Sequence, residues 1–173
     1  SYAQAAAYAM GRAMDDVIIS AATGTAFTGE TGSGTETAQT AIAANVGSTT
    51  GLNIDKLLKA KEKFDLASVD PSIQRYIVVG PEQMSNLLGT TQVTSSDFNS
   101  VKALVQGEVD TFLGFKFITS NRLAKGGNDR TCIAFAQDGI TLAVGKDVSA
   151  RIDERADKSY ATQVYYCMSI GAT

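Results

Sequence analysis

The chain has 173 residues and a mass of 18.1 kDa, enough for one domain of ordinary size with its own core. Its 15 basic and 18 acidic side chains leave a net charge of −3, so it lacks the basic field through which proteins grip nucleic acid. There is no histidine, which excludes the usual serine- and cysteine-protease triads and the commonest zinc ligand.

The charge is unevenly placed. Residues 1–54 hold Asp15, Asp16, Glu30 and Glu36 against Arg12 alone, and the remainder of the chain is balanced. Arg12, Asp15 and Asp16 interrupt the one stretch apolar enough to be considered as a membrane span. No basic region precedes an apolar core at the N-terminus, as a secretory signal requires. The two cysteines, Cys132 and Cys167, are too few for a disulfide framework and suit a reducing compartment.

In chain order, residues 1–22 read as one alanine-rich helix, entered without a clear cap. Met10, Met14, Val17, Ile18 and Ala21 form its apolar stripe, and Gly24 is a natural stop. At 1.5 Å per residue this helix is roughly 33 Å long, about the width of a small domain, and is expected to act as a strut. From Gly24 to Gly51 the composition turns to Gly, Thr, Ser and Ala, a loop-rich crossing with one short strand expected near Thr37–Ala43. Within it, Gly29-Glu-Thr-Gly-Ser-Gly-Thr35 invites a phosphate-loop reading. It lacks the terminal Gly-Lys-Ser/Thr, so a surface hairpin is the better reading.

A second helix is expected over 53–67, capped by Asn53, with Asp55 at its positive end. Ile54, Leu57, Leu58 and Phe64 are its inward residues, and Lys56, Lys59, Lys61, Glu62 and Lys63 its wet face. Arg75–Gly80 reads as a short buried strand, followed by a helix with Pro81 in its first turn and Met84, Leu87 and Leu88 apolar. Ser95 or Ser96 caps a further helix that ends at Gly107. Val109 to Ile118 is strand-like, broken at Gly114 by a bulge or tight turn. A polar loop over 124–130 leads to an apolar strand at Thr131–Ala136, and Asp138-Gly139 turns the chain into Ile140–Val144. Val148, Ala150 and Ile152 alternate as a half-buried strand. Beyond the charged stretch Asp153–Lys158, Tyr160, Thr162, Val164, Tyr166, Met168 and Ile170 occupy one face of a long strand. Each arm of this hairpin is expected to reach roughly 25–35 Å.

The search for chemistry returns little. Asp15 and Asp16 diverge by about 100° on a helix and do not form a convergent carboxylate pair. Cys132 and Cys167 sit in apolar strands and, without histidine, read as inert core thiols. No acidic cluster has calcium-loop spacing. Tyr160, Tyr165 and Tyr166 can stack on bases, yet on an acidic chain packing or interface roles fit better. The remaining candidates are Arg151, Asp153, Glu154, Arg155, Asp157 and Lys158, a tip of both signs suited to contacts between subunits, with a solvated turn as the plain alternative.

Several stretches resemble the major capsid proteins of tailed bacteriophages, which share the Hong Kong 97-type fold. Ile54-Asp-Lys-Leu-Leu-Lys-Ala-Lys61 resembles the first helix of that family's axial domain, and Arg75-Tyr-Ile-Val-Val-Gly-Pro-Glu-Gln-Met84 its strand and helix. Asp97–Gly107, followed by Thr111-Phe-Leu-Gly-Phe-Lys-Phe-Ile-Thr-Ser-Asn-Arg-Leu123, resembles a helix and then strands around a Leu-Gly turn. Val144-Gly-Lys-Asp-Val148 and Tyr160–Tyr165, ending in Ile170-Gly-Ala-Thr173, resemble the return through the peripheral domain.

The resemblance implies an α+β chain in interleaved domains. Residues 1–51 would be peripheral (the end of a spine helix and its loop), 52–145 axial, and 146–173 the peripheral long β-hairpin. It implies a shell subunit without catalysis, cofactor or metal, enclosing a DNA genome in an icosahedral virion. Its partners would be copies of itself in hexamers and pentamers, scaffolding and portal proteins, and packaged DNA without specificity. No membrane is involved, and assembly would take place in the host cytoplasm. The family's N-terminal arm and extended loop precede the spine helix, and a further strand follows the Gly-Ala-Thr stretch. Their absence reads as a fragment, and no intersubunit cross-link is carried over. A bacterial nanocompartment shell protein of the same fold is one alternative; a small α+β enzyme or ligand-binding domain is another.

Overall fold

The computed structural model describes residues 2–27, 36–37, 40–43, 46–48, 50–89 and 111–173. They divide into two units, residues 1–37 with 140–173, and residues 38–139. The helix expected over 96–107 and the Gly29–Thr35 hairpin lie outside the described residues.

In the first unit, α1 spans Tyr2–Thr23. It ends where predicted, the Gly24 N–H bonding the Ala21 carbonyl at 3.1 Å. Two residues, Ala26–Phe27 (β1), pair antiparallel with Glu36–Thr37 (β2). The strand expected over 37–43 is thus shorter and earlier, and residues 40–43 have no regular structure. The remainder of the unit is a hairpin of β9 (Leu142–Arg155) and β10 (Ala161–Ala172). Thr141 and Thr173 prolong it with reciprocal N–H···O bonds of 2.8 and 3.0 Å. At ~3.4 Å per residue, 14 and 12 residues give arms of about 48 and 41 Å, longer than expected. The separate strand expected at 140–144 merges into β9. Helix α1 lies along β10, yet no residue of α1 is buried.

The hairpin corrects the expected burial. Val148 and Ile152 are exposed rather than half-buried, and Tyr160 lies outside β10 with a positive φ of 60°. Alternation marks which residues share a face; burial also needs a second layer over that face, and the tip half has none among the described residues. β10 keeps its alternation, and the irregularity lies on β9. Cys167 pairs with Ser149, Ser169 with Lys146 and Ile170 with Val144, so β9 carries an extra residue at each of two bulges.

The second unit carries the core. Helix α2 (Ile54–Leu66) starts on Asn53, whose side chain accepts the Lys56 N–H at 2.8 Å and donates to the Val46 carbonyl at 2.8 Å. A four-stranded sheet follows, in the order β4 (Thr111–Phe112), β5 (Phe115–Thr119), β3 (Arg75–Val79), β8 (Ile133–Ala136). β3 is parallel to β5 and antiparallel to β8. Helix α3 (Pro81–Gly89) leaves β3 through the buried Gly80, where a β-carbon would meet Gln83 and Arg130. The predicted break at Gly114 is a tight turn with φ positive at both Leu113 (52°) and Gly114 (85°), the twist that two-residue hairpins favour. The polar loop at 124–130 contains a small hairpin, β6 (Lys125–Gly126) with β7 (Asp129–Arg130).

Leu52, Ile54, Leu57, Ala60, Ile77, Val79, Leu87 and Phe115 form the core. Two expectations for α2 fail. Leu58 is 47% exposed, and Ala60 takes the inward place. Lys56 is not on the wet face: its Nζ donates to the carbonyls of Thr50 and Gly51 at 2.8 and 2.6 Å, and burial lowers its pKa. Arg75, at the start of the central strand, is buried. Its guanidinium pairs with Asp65 at 2.8 Å, donates to the Val69 carbonyl at 3.1 Å and lies 5.3 Å from the Phe64 ring centre.

Candidate functional site

The charged residues singled out in the sequence all lie at the free end of the β9–β10 hairpin, and all are exposed. Arg151, Asp153 and Glu154 are on β9 and Arg155 ends it; Asp157 and Lys158 belong to a short helical turn over Ala156–Lys158. Ser159 and Tyr160 then adopt left-handed conformations, and the Tyr160 N–H bonds the Arg155 carbonyl at 3.0 Å to close the tip.

The structure brings two of the six together. Arg155 grips Asp157 through two bonds, Nε to Oδ1 at 2.9 Å and Nη2 to Oδ2 at 2.5 Å. This bidentate contact holds the Asp157 carboxyl below the usual carboxylate range. The others are separated by the pleat. Arg151 and Asp153 project from one face, opposite Tyr165 and Gln163. Glu154 projects from the other, opposite Thr162, next to the pairs Ile152–Val164 and Ala150–Tyr166. The tip therefore has a charged face and a largely apolar one. Ile152 is 70% exposed and Val164 44% exposed. The composition-based search missed these two because it read their alternation as burial.

A second cluster was also missed. Ser149 Oγ lies 2.9 Å from Cys167 Sγ, and Lys146 Nζ donates to the same sulfur at 3.3 Å. Simple alternation would put Lys146 on the opposite face from Ser149; the bulge between them brings the two to the same thiol. The Ser149 hydroxyl first, and then the Lys146 ammonium, hold the Cys167 thiol below its ordinary range. Cys132 behaves oppositely, since it packs against the core of the second unit and burial pushes its thiol up. The expectation of two inert core thiols thus holds only for Cys132. Gly145, beside the bulge, is the one mark of this arrangement in the sequence.

A shallow groove of about 420 Å³ runs between the end of α1 and the end of β10, lined by Asp16, Val17, Ser20, Ala21, Ala172 and Thr173 among others. Among the described residues that line it, Asp16 is the one acidic side chain and none is basic. Among the described residues, no three His, Cys, Asp or Glu side chains converge as metal ligands, and no helix is long and apolar enough to cross a membrane.

The chain is α+β, with a small packed core in its second unit and, in its first, a hairpin whose tip is exposed and carries both signs of charge, an arrangement suited to contact. Its sequence relationships agree. The chain belongs to the phage capsid protein family, whose model matches residues 1–173. Among solved structures, a chain of Mycobacterium phage Che8 matches with a TM-score of 0.65 at 21% identity, covering 99% of this chain and 57% of that one. The capsid structure of cyanophage P-SCSP1u matches with a TM-score of 0.54 at 18% identity, covering 92% of this chain and 54% of that one. At such identities the likeness is one of fold, and it bears out the α+β expectation and the capsid resemblance. The chain spans just over half the length of these two. Curated proteins give no match.

Proposed function

We propose that this chain is a major head subunit of a tailed bacteriophage, assembling by self-association into the icosahedral shell around the DNA genome. The observation that carries this reading is the family match over residues 1–173. In this reading residues 52–145 form the axial domain, and residues 1–51 with the hairpin over 146–173 form the peripheral domain; the division of the chain into residues 1–37 with 140–173 and residues 38–139 supports two interleaved domains. The subunit has no catalytic task; its chemistry is that of contact. Residues 151–158 meet neighbouring subunits, and many modest contacts, repeated over the shell, hold it together by avidity. Copies of the same chain in hexamers and pentamers are the principal partners, in the host cytoplasm during assembly and in the virion afterwards. Scaffolding and portal proteins and non-specifically held DNA complete the set.

Expression of the gene followed by negative-stain imaging and sedimentation tests this. Closed shells or capsomers support it. A protein that stays monomeric through screens of concentration, salt and added scaffold sinks it.

A further inference from the structure

Among the described residues β9 pairs only with β10, so the alternate backbone donors and acceptors that point away from β10 between Arg151 and Glu154 form an open outer edge. Exposed edges recruit further strands unless their side chains forbid it. A second copy can approach this edge antiparallel, about a two-fold axis normal to the ribbon. That symmetry preserves faces, so each residue of β9 meets one of its own parity.

The registers differ sharply in charge. With Ile152 on the axis, Arg151 faces Asp153 of the second copy, and symmetry repeats the pair. With Asp153 on the axis, it faces itself and Arg151 faces Arg155, so every charged pair is repulsive. Arg151 or Glu154 on the axis sets that residue against its own copy. Ala150 on the axis runs the pairing into the bulge at Asp147–Val148, where the ladder is broken, and forms no opposite-charge pair before it. Among these only the register centred on Ile152 contains opposite-charge pairs alone.

The same register suits the apolar face. Val164 lies directly across β9 from Ile152 in the hairpin. Pairing at Ile152 therefore creates a row Val164–Ile152–Ile152–Val164 over four strands, joining two exposed apolar pairs into one patch. It also turns a two-stranded ribbon, marginal by itself, into a four-stranded sheet.

We propose that β9 pairs antiparallel with β9 of a second copy of this chain, in one register set by the Arg151–Asp153 charge pairs, with Ile152 on the two-fold axis. This rests on the reading that copies of the chain assemble, and it names the edge and register of one contact.

The test is disulfide trapping in a Cys132→Ser/Cys167→Ser background. Directly opposed residues lie about 4.5–5.5 Å apart at Cα, within disulfide range. Ile152→Cys is therefore expected to give a linked dimer on mild oxidation. Ala150→Cys or Glu154→Cys alone should not, because each sits about 14 Å from its own copy. A mixture of those two variants should link. In the natural cysteine background, Arg151→Asp or Asp153→Arg should weaken association about tenfold, and the double swap should restore it. Shells that form while Ile152→Cys stays unlinked, or while Ala150→Cys links as readily, overturn the pairing and leave the capsid reading standing. A linked dimer that never builds larger particles supports the pairing and counts against the capsid reading. Absence of both particles and linkage rejects both.

Discussion

Removing the carboxylate partner of Arg75 should destabilise the second unit more than removing Arg75 itself. The guanidinium is 7% exposed and Asp65 is 52% exposed, so the two partners stand to lose different amounts. Asp65→Ala strands a buried cation that retains the Val69 carbonyl and the Phe64 ring. Breaking a fully buried pair costs about 3–5 kcal/mol; water entering beside Asp65 reduces that here to about 2 kcal/mol. Arg75→Met removes the cation, fills much of its space and lets Asp65 return to solvent. Its cost is one hydrogen bond and one cation–π contact, less regained packing, about 1 kcal/mol in all. The double variant should cost about as much as Arg75→Met alone, since Asp65 has nothing left to neutralise. Urea unfolding followed by far-ultraviolet circular dichroism reads all three. For a unit of about 100 residues, Asp65→Ala lowers Tm by roughly 10 °C. The reasoning fails if Arg75→Met costs more than Asp65→Ala, or if the two costs simply add.

Leu57→Ala, at the centre of the core and 1% exposed, should cost about 3 kcal/mol in the same assay, while Leu58→Glu on the exposed side of α2 should stay within about 0.5 kcal/mol. Gly114→Val should cost about 1–2 kcal/mol from backbone strain alone: φ is 85° there and nothing lies within 4 Å of an added β-carbon. At pH 7.5 with limiting iodoacetamide, peptide mass spectrometry should find Cys167 alkylated before Cys132. A lowered thiol pKa means that thiolate persists to lower pH, so Lys146→Met should move the midpoint of the Cys167 pH–rate profile upward and leave Cys132 unchanged. Equal rates at both cysteines would contradict the Ser149–Lys146–Cys167 geometry.

Features decided by nearest neighbours in the chain are legible in the sequence. Asn53 at the head of α2, Pro81 opening α3, Gly24 closing α1 and the Leu113-Gly114 turn each follow from one residue's backbone chemistry. The errors share another cause. Leu58 and Ala60 are both compatible with an apolar helix face, and which one turns inward depends on where the sheet lies. Lys56 has the composition of a wet residue, but the carbonyls of Thr50 and Gly51 curl over its ammonium. At the candidate interface the charged residues could be read as a group, whereas the Arg155–Asp157 clasp and the bulges of β9 could not. A bulge depends on how two strands count against each other, and neither strand alone records it.

By itself, then, the order of residues determined most of the described elements, several of their caps and turns, and the mixed α+β character. These are local or compositional properties, set within a few residues along the chain. The tertiary structure alone decided which faces are covered. Arg75 became a buried anchor and Cys167 a polar, perturbed thiol, while Ile152 and Val164 were left exposed at the tip half of the ribbon, which no described residue covers. Burial is a property of what packs against a residue. Alternating valines and isoleucines look the same whether a core lies behind them or a neighbouring subunit has yet to arrive.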